Sequence, residues 1–397
     1  MNRLISVLGL VVFLGIAYLL SENREEVNFK TVIGGVALQL IFAFIILVIP
    51  QGQALFEVLT EFVATILGFA VEGAEFVFGE QLVADNIFAF YVLPTIIYFS
   101  ALMSVLYYFG IIQKLVKFMA MIMKKAMDLS GAESLAAAAN VFVGQTEAPL
   151  VIKKYLPKMT RSEVMALMTG GMATVAGGVF AAFVGMGIDP GYLLAASIMS
   201  APSSLVMAKL MIPETEESVT AGDVRVDIEQ EHNDVIGAAA GGASEGLTLA
   251  LNVAAMLIAF LALIALINYV LGFAGTSLEG ILGVLFSPFA FLMGVPLEEA
   301  TEVASLLGQK MALNEFVAFA SLSELLAEEA LSHRSQMIAT FALCGFANFG
   351  SIAIQIGGIG PLDPKRKGMI ASLGIRALIA GTLATYSTAT IAGLFIG

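Results

Sequence analysis

Two glutamates, Glu147 and Glu315, occupy places where a carboxylate is expensive. Each stands at the polar centre of a segment whose apolar flanks are about half a membrane span long. The first segment, 131–157, reads GAESLAAAANVFVGQTEAPLVIKKYLP and is polar at Asn140, Gly144, Gln145, Thr146 and Glu147. The second, 297–322, is another half-length apolar pair, with its tip at Asn314 and Glu315. An ionised carboxylate at mid-membrane costs at least roughly 2.5 to 3.5 kcal/mol, a cost sustained when the group binds something. Hydroxyls, amides and carboxylates without buried cations suit a neutral, polyhydroxylated solute better than an anion. The oxygens around Asn140 and Thr174 suit a small hard cation. The plain alternative is that each glutamate caps a helix or pairs with a buried lysine. Lys310 lies within reach of Glu315 in sequence, whereas no basic residue is near Glu147 in its tip. General acid and base work by the pair has little behind it, since no nucleophile, metal site or cofactor loop accompanies them. Cys344 is the single cysteine, and His232 and His333 stand far apart, so thiol and metal chemistry lack residues.

Composition says where these segments lie. With 59% hydrophobic and 13% charged residues and a mean hydropathy of +0.92, the chain has too little polar surface to be wrapped by water. Its net charge of −13 sits mostly in connecting segments, which argues against a nucleic-acid partner. About twenty apolar residues are needed to cross a bilayer. Eight stretches qualify: 3–20, 31–49, 87–109, 162–187, 191–211, 246–272, 337–358 and 370–395. The first follows Arg3 but has no small-x-small cleavage site after Leu20, so a retained helix is expected rather than a signal peptide.

Lysine and arginine mark the cytoplasmic side. Segment 110–161 carries Lys114, Lys117, Lys124, Lys125, Lys153, Lys154, Lys158 and Arg161, and 361–369 carries Lys365, Arg366 and Lys367. Segment 50–86 has Glu57, Glu61, Glu72, Glu75, Glu80 and Asp85 with no basic residue, and 273–297 has none either. The first two are therefore expected inside and the last two outside, with both termini outside. The acidic 214–234 stretch, with Arg225 as its counter-charge, then falls in the cytoplasm. A helical period with one wet face over 53–71 predicts a helix lying in the interface, or else an external helix packed on the bundle. The period over 111–126, with lysines on its polar face, predicts another on the cytoplasmic surface.

The two glutamate segments are expected to be re-entrant hairpins, because irregular backbone at that depth persists only when buried in protein or lining a cavity. After the first, the fourth span is expected to unwind at Ala173, Thr174, Val175, Ala176, Gly177 and Gly178. After the second, the seventh contains Phe346, Ala347, Asn348, Phe349, Gly350 and Ser351. One hairpin starts inside and the other outside, so hairpin, broken helix and intact helix occur twice with opposite topology. That pattern points to a secondary transporter with a midplane site, and a passive channel is the other transport reading. Asn252 and Asn268 in the sixth span read as helix-to-helix hydrogen bonds, and Glu245 as a group that reaches water.

The motifs GQTEAPLVIKKYLPKMTRSEVMALMTGGMATVAGG, NEFVAFASL and CGFANFGSIAIQIGGIGPLDPKRK resemble the concentrative nucleoside transporter family over nearly the whole chain. The resemblance implies an all-α integral membrane protein, eight transmembrane helices plus two hairpins in an inverted repeat with interfacial helices, assembled as a homotrimer. Residues 1–130 would hold peripheral and interfacial helices and the third-span scaffold. The first transport repeat would be 131–212, the cytoplasmic loop, sixth-span scaffold and external segment 213–296, and the second repeat 297–397. Both hairpins would ride in a mobile domain that carries solute like an elevator. Gln145, Thr146 and Glu147 would face the nucleobase, with Val179 beside it. Glu315, Asn348 and Ser351 would take the ribose hydroxyls, with Phe346 close by. Sodium would lie between Asn140, Thr174 and the carbonyls of Val143 and Val175, Thr174 standing where other members have serine. The implied activity is sodium-driven nucleoside symport, uridine being a representative solute, with proton coupling as the alternative. No enzyme activity or cofactor beyond the coupling ion is implied. The short amino terminus is expected of a bacterial inner-membrane protein.

Overall fold

Apolar runs punctuated by helix caps set the elements of the computed structural model, which describes residues 2–84, 87–220 and 233–396. Asp85, Arg225 and His232 lie outside the described residues. All regular structure among the described residues is helical. In chain order the α-helices are α1 Asn2–Leu19, α2 Phe29–Leu47, α3 Pro50–Phe78, α4 Glu80–Ala84, α5 Phe88–Tyr108 and α6 Ile111–Met127. Next come α7 Gly131–Ala139, α8 Ala148–Val151, α9 Arg161–Ala173, α10 Gly177–Gly185, α11 Pro190–Met211 and α12 Val235–Gly272. The last are α13 Leu278–Leu292, α14 Ala300–Ala312, α15 Glu315–Ala327, α16 His333–Leu343, α17 Phe349–Ile359 and α18 Lys367–Phe395.

Six of the expected spans are the uninterrupted helices α1, α2, α5, α11, α12 and α18. The other two are broken where expected, between α9 and α10 at Thr174–Ala176 and between α16 and α17 at Cys344–Asn348. Three boundaries differ from the reading of the sequence. The helix expected over 53–71 runs Pro50–Phe78, and by length and composition α3 is itself long and apolar enough to cross a membrane. The sixth span starts at Val235 rather than 246 and is 38 residues long. Its first turns, rich in glycine and alanine, look like a loop by hydropathy. They serve to let two backbones approach: a Cβ on Gly242 would meet the Ser100 carbonyl oxygen at 2.6 Å, and one on Gly246 the Cα of Ile97 at 2.8 Å. The second arm of the Glu147 segment is the third difference. It is one helical turn, Ala148–Val151, followed by turns and a short 3-10 helix, not a ten-residue arm. Lys153, Lys154 and Pro157 interrupt the apolar run before it can propagate.

Capping boxes start the two helices that frame the first tip. In α7 the Ser130 hydroxyl accepts from Glu133 N–H (3.4 Å) while Glu133 accepts from Ser130 N–H (2.8 Å). Thr160 and Glu163 repeat the device at α9. Around these, α9, α11, α16 and α18 form the most buried part of the molecule. Phe183 of α10 stacks on Phe319 of α15 at 4.0 Å and meets Phe316 edge-on at 5.2 Å, joining the first broken helix to the second glutamate arm. α1 is packed into the same body, with Phe13 fully buried beside Phe289 and Tyr386. At one end, Glu22 in the α1–α2 turn is held by Arg161 at 2.9 Å and Arg376 at 3.3 Å. Arg161 hydrogen bonding holds the Glu22 carboxyl below the usual carboxylate range. Asn268 donates to Glu279 (2.9 Å) and accepts from Leu278 N–H (2.8 Å), tying α12 to α13 as a helix-to-helix bond should. Asn252 is instead exposed and makes no side-chain hydrogen bond among the described residues.

Candidate functional site

The two helix breaks touch. Phe346 N–H donates to the Thr174 carbonyl (3.3 Å), so the unwound backbone between α9 and α10 satisfies that between α16 and α17. Gly345 permits the approach: a Cβ there would lie 2.9 Å from the Ala173 carbonyl carbon and 2.8 Å from Thr385 Cγ2. Both glutamate tips reach this crossing.

The second tip is tightly held. Asn314 caps α15 by accepting from Val317 N–H (3.0 Å), which places Glu315 in the first helical turn with only 4% of its surface exposed. Asn348 caps α17 by accepting from Ser351 N–H (2.9 Å) and turns its amide outward to donate to Glu315 at 2.8 Å. One asparagine thus fixes both a helix start and a carboxylate. The first tip is looser. Phe142 carbonyl accepts from Gly177 N–H at 3.3 Å, Gln145 donates to Ser351 Oγ at 3.1 Å, and Glu147 is exposed with Thr146 Oγ1 donating to it at 2.9 Å. Gln145, Glu315, Asn348 and Ser351 therefore form one chain of contacts through Ser351 and Asn348. Thr146 and Glu147 adjoin it, and Thr146 packs on Gly358 of α17. Val179 is buried in the first turn of α10 and Phe346 in the second break; neither makes a side-chain hydrogen bond.

Asn140, at the end of α7, donates to the Ala136 carbonyl (3.1 Å), but its Oδ1 is buried with no hydrogen-bond partner. A buried polar oxygen left unpaired costs about 1 to 3 kcal/mol. Thr174 Oγ1 donates to the Gly170 carbonyl (2.9 Å), and a Cβ on Gly170 would meet Asn140 Nδ2 at 2.9 Å, so the two residues converge on one turn of α9. A hydroxyl that donates keeps its lone pairs. Oxygen donors of this kind, with the neighbouring Val143 and Val175 backbone, fit a small hard cation.

One sequence expectation changes here, and the plain alternative of a lysine pair loses its support. Lys310 is a buried cation, 2% exposed, so the neighbourhood of the second tip is not free of them. It also makes no ion pair with Glu315 among the described residues; its ammonium donates instead to the Ala342 carbonyl (2.8 Å) and Thr385 Oγ1 (3.3 Å). Among the described residues neither glutamate pairs with a lysine.

Three family profiles match the chain. "Na+ dependent nucleoside transporter C-terminus" matches 192–393, "Na+ dependent nucleoside transporter N-terminus" matches 8–81, and "Nucleoside recognition" matches 89–189. An uncharacterized transporter of Haemophilus influenzae is 47% identical over 412 residues, covering 100% of this chain and 99% of the relative. The nucleoside permease NupC of Helicobacter pylori is 42% identical over 414 residues, covering 100% of this chain and 98% of the relative. This chain belongs to the sodium-dependent nucleoside transporter family. Its fold is that of CNTnw: the inward-facing, substrate-bound structure superposes with a TM-score of 0.96 at 44% identity, over 100% of both chains. An outward-facing variant of the same protein superposes at 0.95 with 43% identity, over 100% of this chain and 99% of that one. The family is one of multi-pass membrane transporters, not of enzymes.

Within that family fold, two buried polar residues escape a reading by motif, one at the crossing and one away from it. Gln355 of α17 is fully buried, donates to the Met168 carbonyl (2.9 Å) and leaves its Oε1 without a partner, close to where Gln145 packs over Gly171. The signal was a lone amide in the apolar run SIAIQIGG. Lys209, alone in apolar α11, is the other kind of miss. It meets Glu133 at 2.6 Å and donates to Ser162 Oγ (2.9 Å), a buried knot away from the tips.

Proposed function

We propose that this chain takes up nucleosides of the uridine type by sodium symport, with both ligands bound where the two helix breaks cross. The observation that carries the reading is the Gln145–Ser351–Asn348–Glu315 chain of contacts, because it joins one hairpin tip to the other through a broken helix. Glu315 is preset to accept vicinal ribose hydroxyls, with Asn348 holding one oxygen and keeping the carboxylate aimed. Gln145, Thr146 and Glu147 meet the base, Val179 and Phe346 supply apolar walls, and Ser351 serves the ribose end. Asn140 and Thr174, with the Val143 and Val175 carbonyls, hold sodium; the unpaired Asn140 Oδ1 supports that assignment. Moving one charge down 100 mV supplies about 2.3 kcal/mol, close to a fifty-fold gradient, so one ion per solute concentrates it.

The architecture follows from the same reading. α7 with α8, and α14 with α15, are re-entrant hairpins that enter from opposite sides; with α9–α11 and α16–α18 they make two inverted repeats. These repeats, 131–212 and 297–397, move as one body against a scaffold of α5 and α12, and the existence of inward- and outward-facing structures of CNTnw supports an elevator. α3 lies flat at the outer surface with Glu57, Glu61, Glu72 and Glu75 in water, although its length and composition would let it cross. α6 lies flat inside. Three protomers assemble in a bacterial inner membrane with both termini periplasmic.

Uridine uptake into proteoliposomes tests the reading. Replacing external sodium by choline at constant pH is expected to abolish accumulation. Uptake that ignores sodium and follows a proton gradient would move the coupling to protons. Uptake that never exceeds the outside concentration would make the protein a passive pore.

A further inference from the structure

The second hairpin grips the broken helix at two points, and only one of them is Glu315. Asn348 ends the break, and Glu315 takes its amide at 2.8 Å. At the other end, α16 stops at Leu343, so the Ala342 carbonyl belongs to the last turn, where carbonyls lack intrahelical partners. Lys310 supplies that partner at 2.8 Å. A cation at a helix C-terminus also opposes the negative end of the helix dipole. Lys310 lies in the last turn of α14, immediately before the tip that carries Glu315. Its second acceptor, Thr385 Oγ1 at 3.3 Å, belongs to fully buried α18 residues on which Gly345 of the break rests. One buried ammonium therefore joins α14, α16 and α18 around the start of the break. Among the described residues the first tip is tied to the α9–α10 break by the backbone bond from Gly177 to Phe142.

We propose that Lys310 is a positioning residue for the ribose end of the solute site: by anchoring the start of the break to α14 it sets the spacing at which Glu315 meets Asn348. It touches neither solute nor sodium. A buried lysine serving only to hold the fold together would affect the amount and stability of the protein. A positioning lysine changes which nucleosides are told apart.

This inference rests on the assignment of the ribose to Glu315, and the experiment separates the two. Uridine KM and inhibition by 2′-deoxyuridine and 3′-deoxyuridine are measured in proteoliposomes for wild type, Lys310→Met and Lys310→Arg, together with the sodium concentration for half-maximal uptake. Loss of a charge-assisted hydrogen bond predicts that Lys310→Met raises uridine KM by about tenfold. The ratio between deoxynucleoside and uridine affinities is expected to collapse, the sodium requirement to stay near wild type, and Lys310→Arg to recover most of the discrimination. Unaltered discrimination in Lys310→Met, or a loss of Vmax with KM unchanged, overturns the inference. A wild-type protein that does not distinguish uridine from its deoxy analogues removes the ribose assignment and this inference with it. Should Lys310→Met fail to fold by thermal denaturation, Thr385→Val carries the test. It is expected to show a smaller shift in the same direction, and wild-type values in it overturn the inference.

Discussion

The two glutamate tips began as equivalents and differ in almost every physical respect. Glu315 is buried, rests in the first turn of a 13-residue helix, and is held by an asparagine that itself caps another helix. Glu147 is exposed, precedes a helix of a single turn, and is held by its own neighbour Thr146. The second tip has Lys310 bracing it to the rest of the body, whereas the first is tied to the crossing through the Gln145 side chain and a Phe142 backbone bond among the described residues. Under the proposed assignment, the more tightly held carboxylate would meet the constant part of the solute and the more exposed one the variable part.

Glu315→Gln should show the largest effect, a loss of nucleoside binding by at least about a hundredfold, since two charge-assisted bonds to hydroxyls are removed. Titration calorimetry in sodium measures it, and near-normal binding would erase the distinction between the tips. Glu147→Gln is expected to raise KM by about tenfold and to alter preference among bases more than among sugars. Equal loss in both variants would mean the tips are equivalent after all. Thr174→Ala sharpens the boundary between the first tip and the ion: half-maximal sodium should rise by several-fold, with uridine KM at saturating sodium little changed. The smallest effect belongs to the tie at the α1–α2 turn. The folded Glu22 carboxyl titrates below the usual 4.5, so its stabilising contribution is present above that value and fades as pH falls through the lowered one. Glu22→Gln should therefore lower the thermal midpoint slightly near neutral pH, an exposed pair being worth under about 1 kcal/mol, and match wild type in acid.

Much of this comparison was legible in the residues. The polar tips within apolar flanks, the run of small residues at 173–178 and the Asn348-containing segment 346–351 locate the breaks because each violates a local rule for a membrane helix. What could not be read was contact made through backbone. Lys310 chooses a carbonyl that exists as an acceptor only because α16 ends there, a fact no side-chain pattern announces. Asn348 was expected at the ribose; its geometry commits one side-chain atom to a helix cap and the other to Glu315. The long start of α12 was invisible for the opposite reason: glycine and alanine lower hydropathy while improving packing against α5, so the composition that mimics a loop is the composition of a close helix contact. The short helix after Glu147 was not legible because half-span counting takes no account of Pro157 and the lysines before it.

The bond from Phe346 N–H to the Thr174 carbonyl has a thermodynamic consequence for the ion and solute assigned to this crossing. Thr174 belongs to the proposed ion site, and the break containing Phe346 ends at Asn348, which holds Glu315. A ligand that orders either break lowers the entropy left for the other ligand to remove. Linkage requires the coupling to be mutual: whatever factor sodium gives to nucleoside affinity, nucleoside returns to sodium. Under that assignment, such a crossing would favour loading the ion and the solute as a pair.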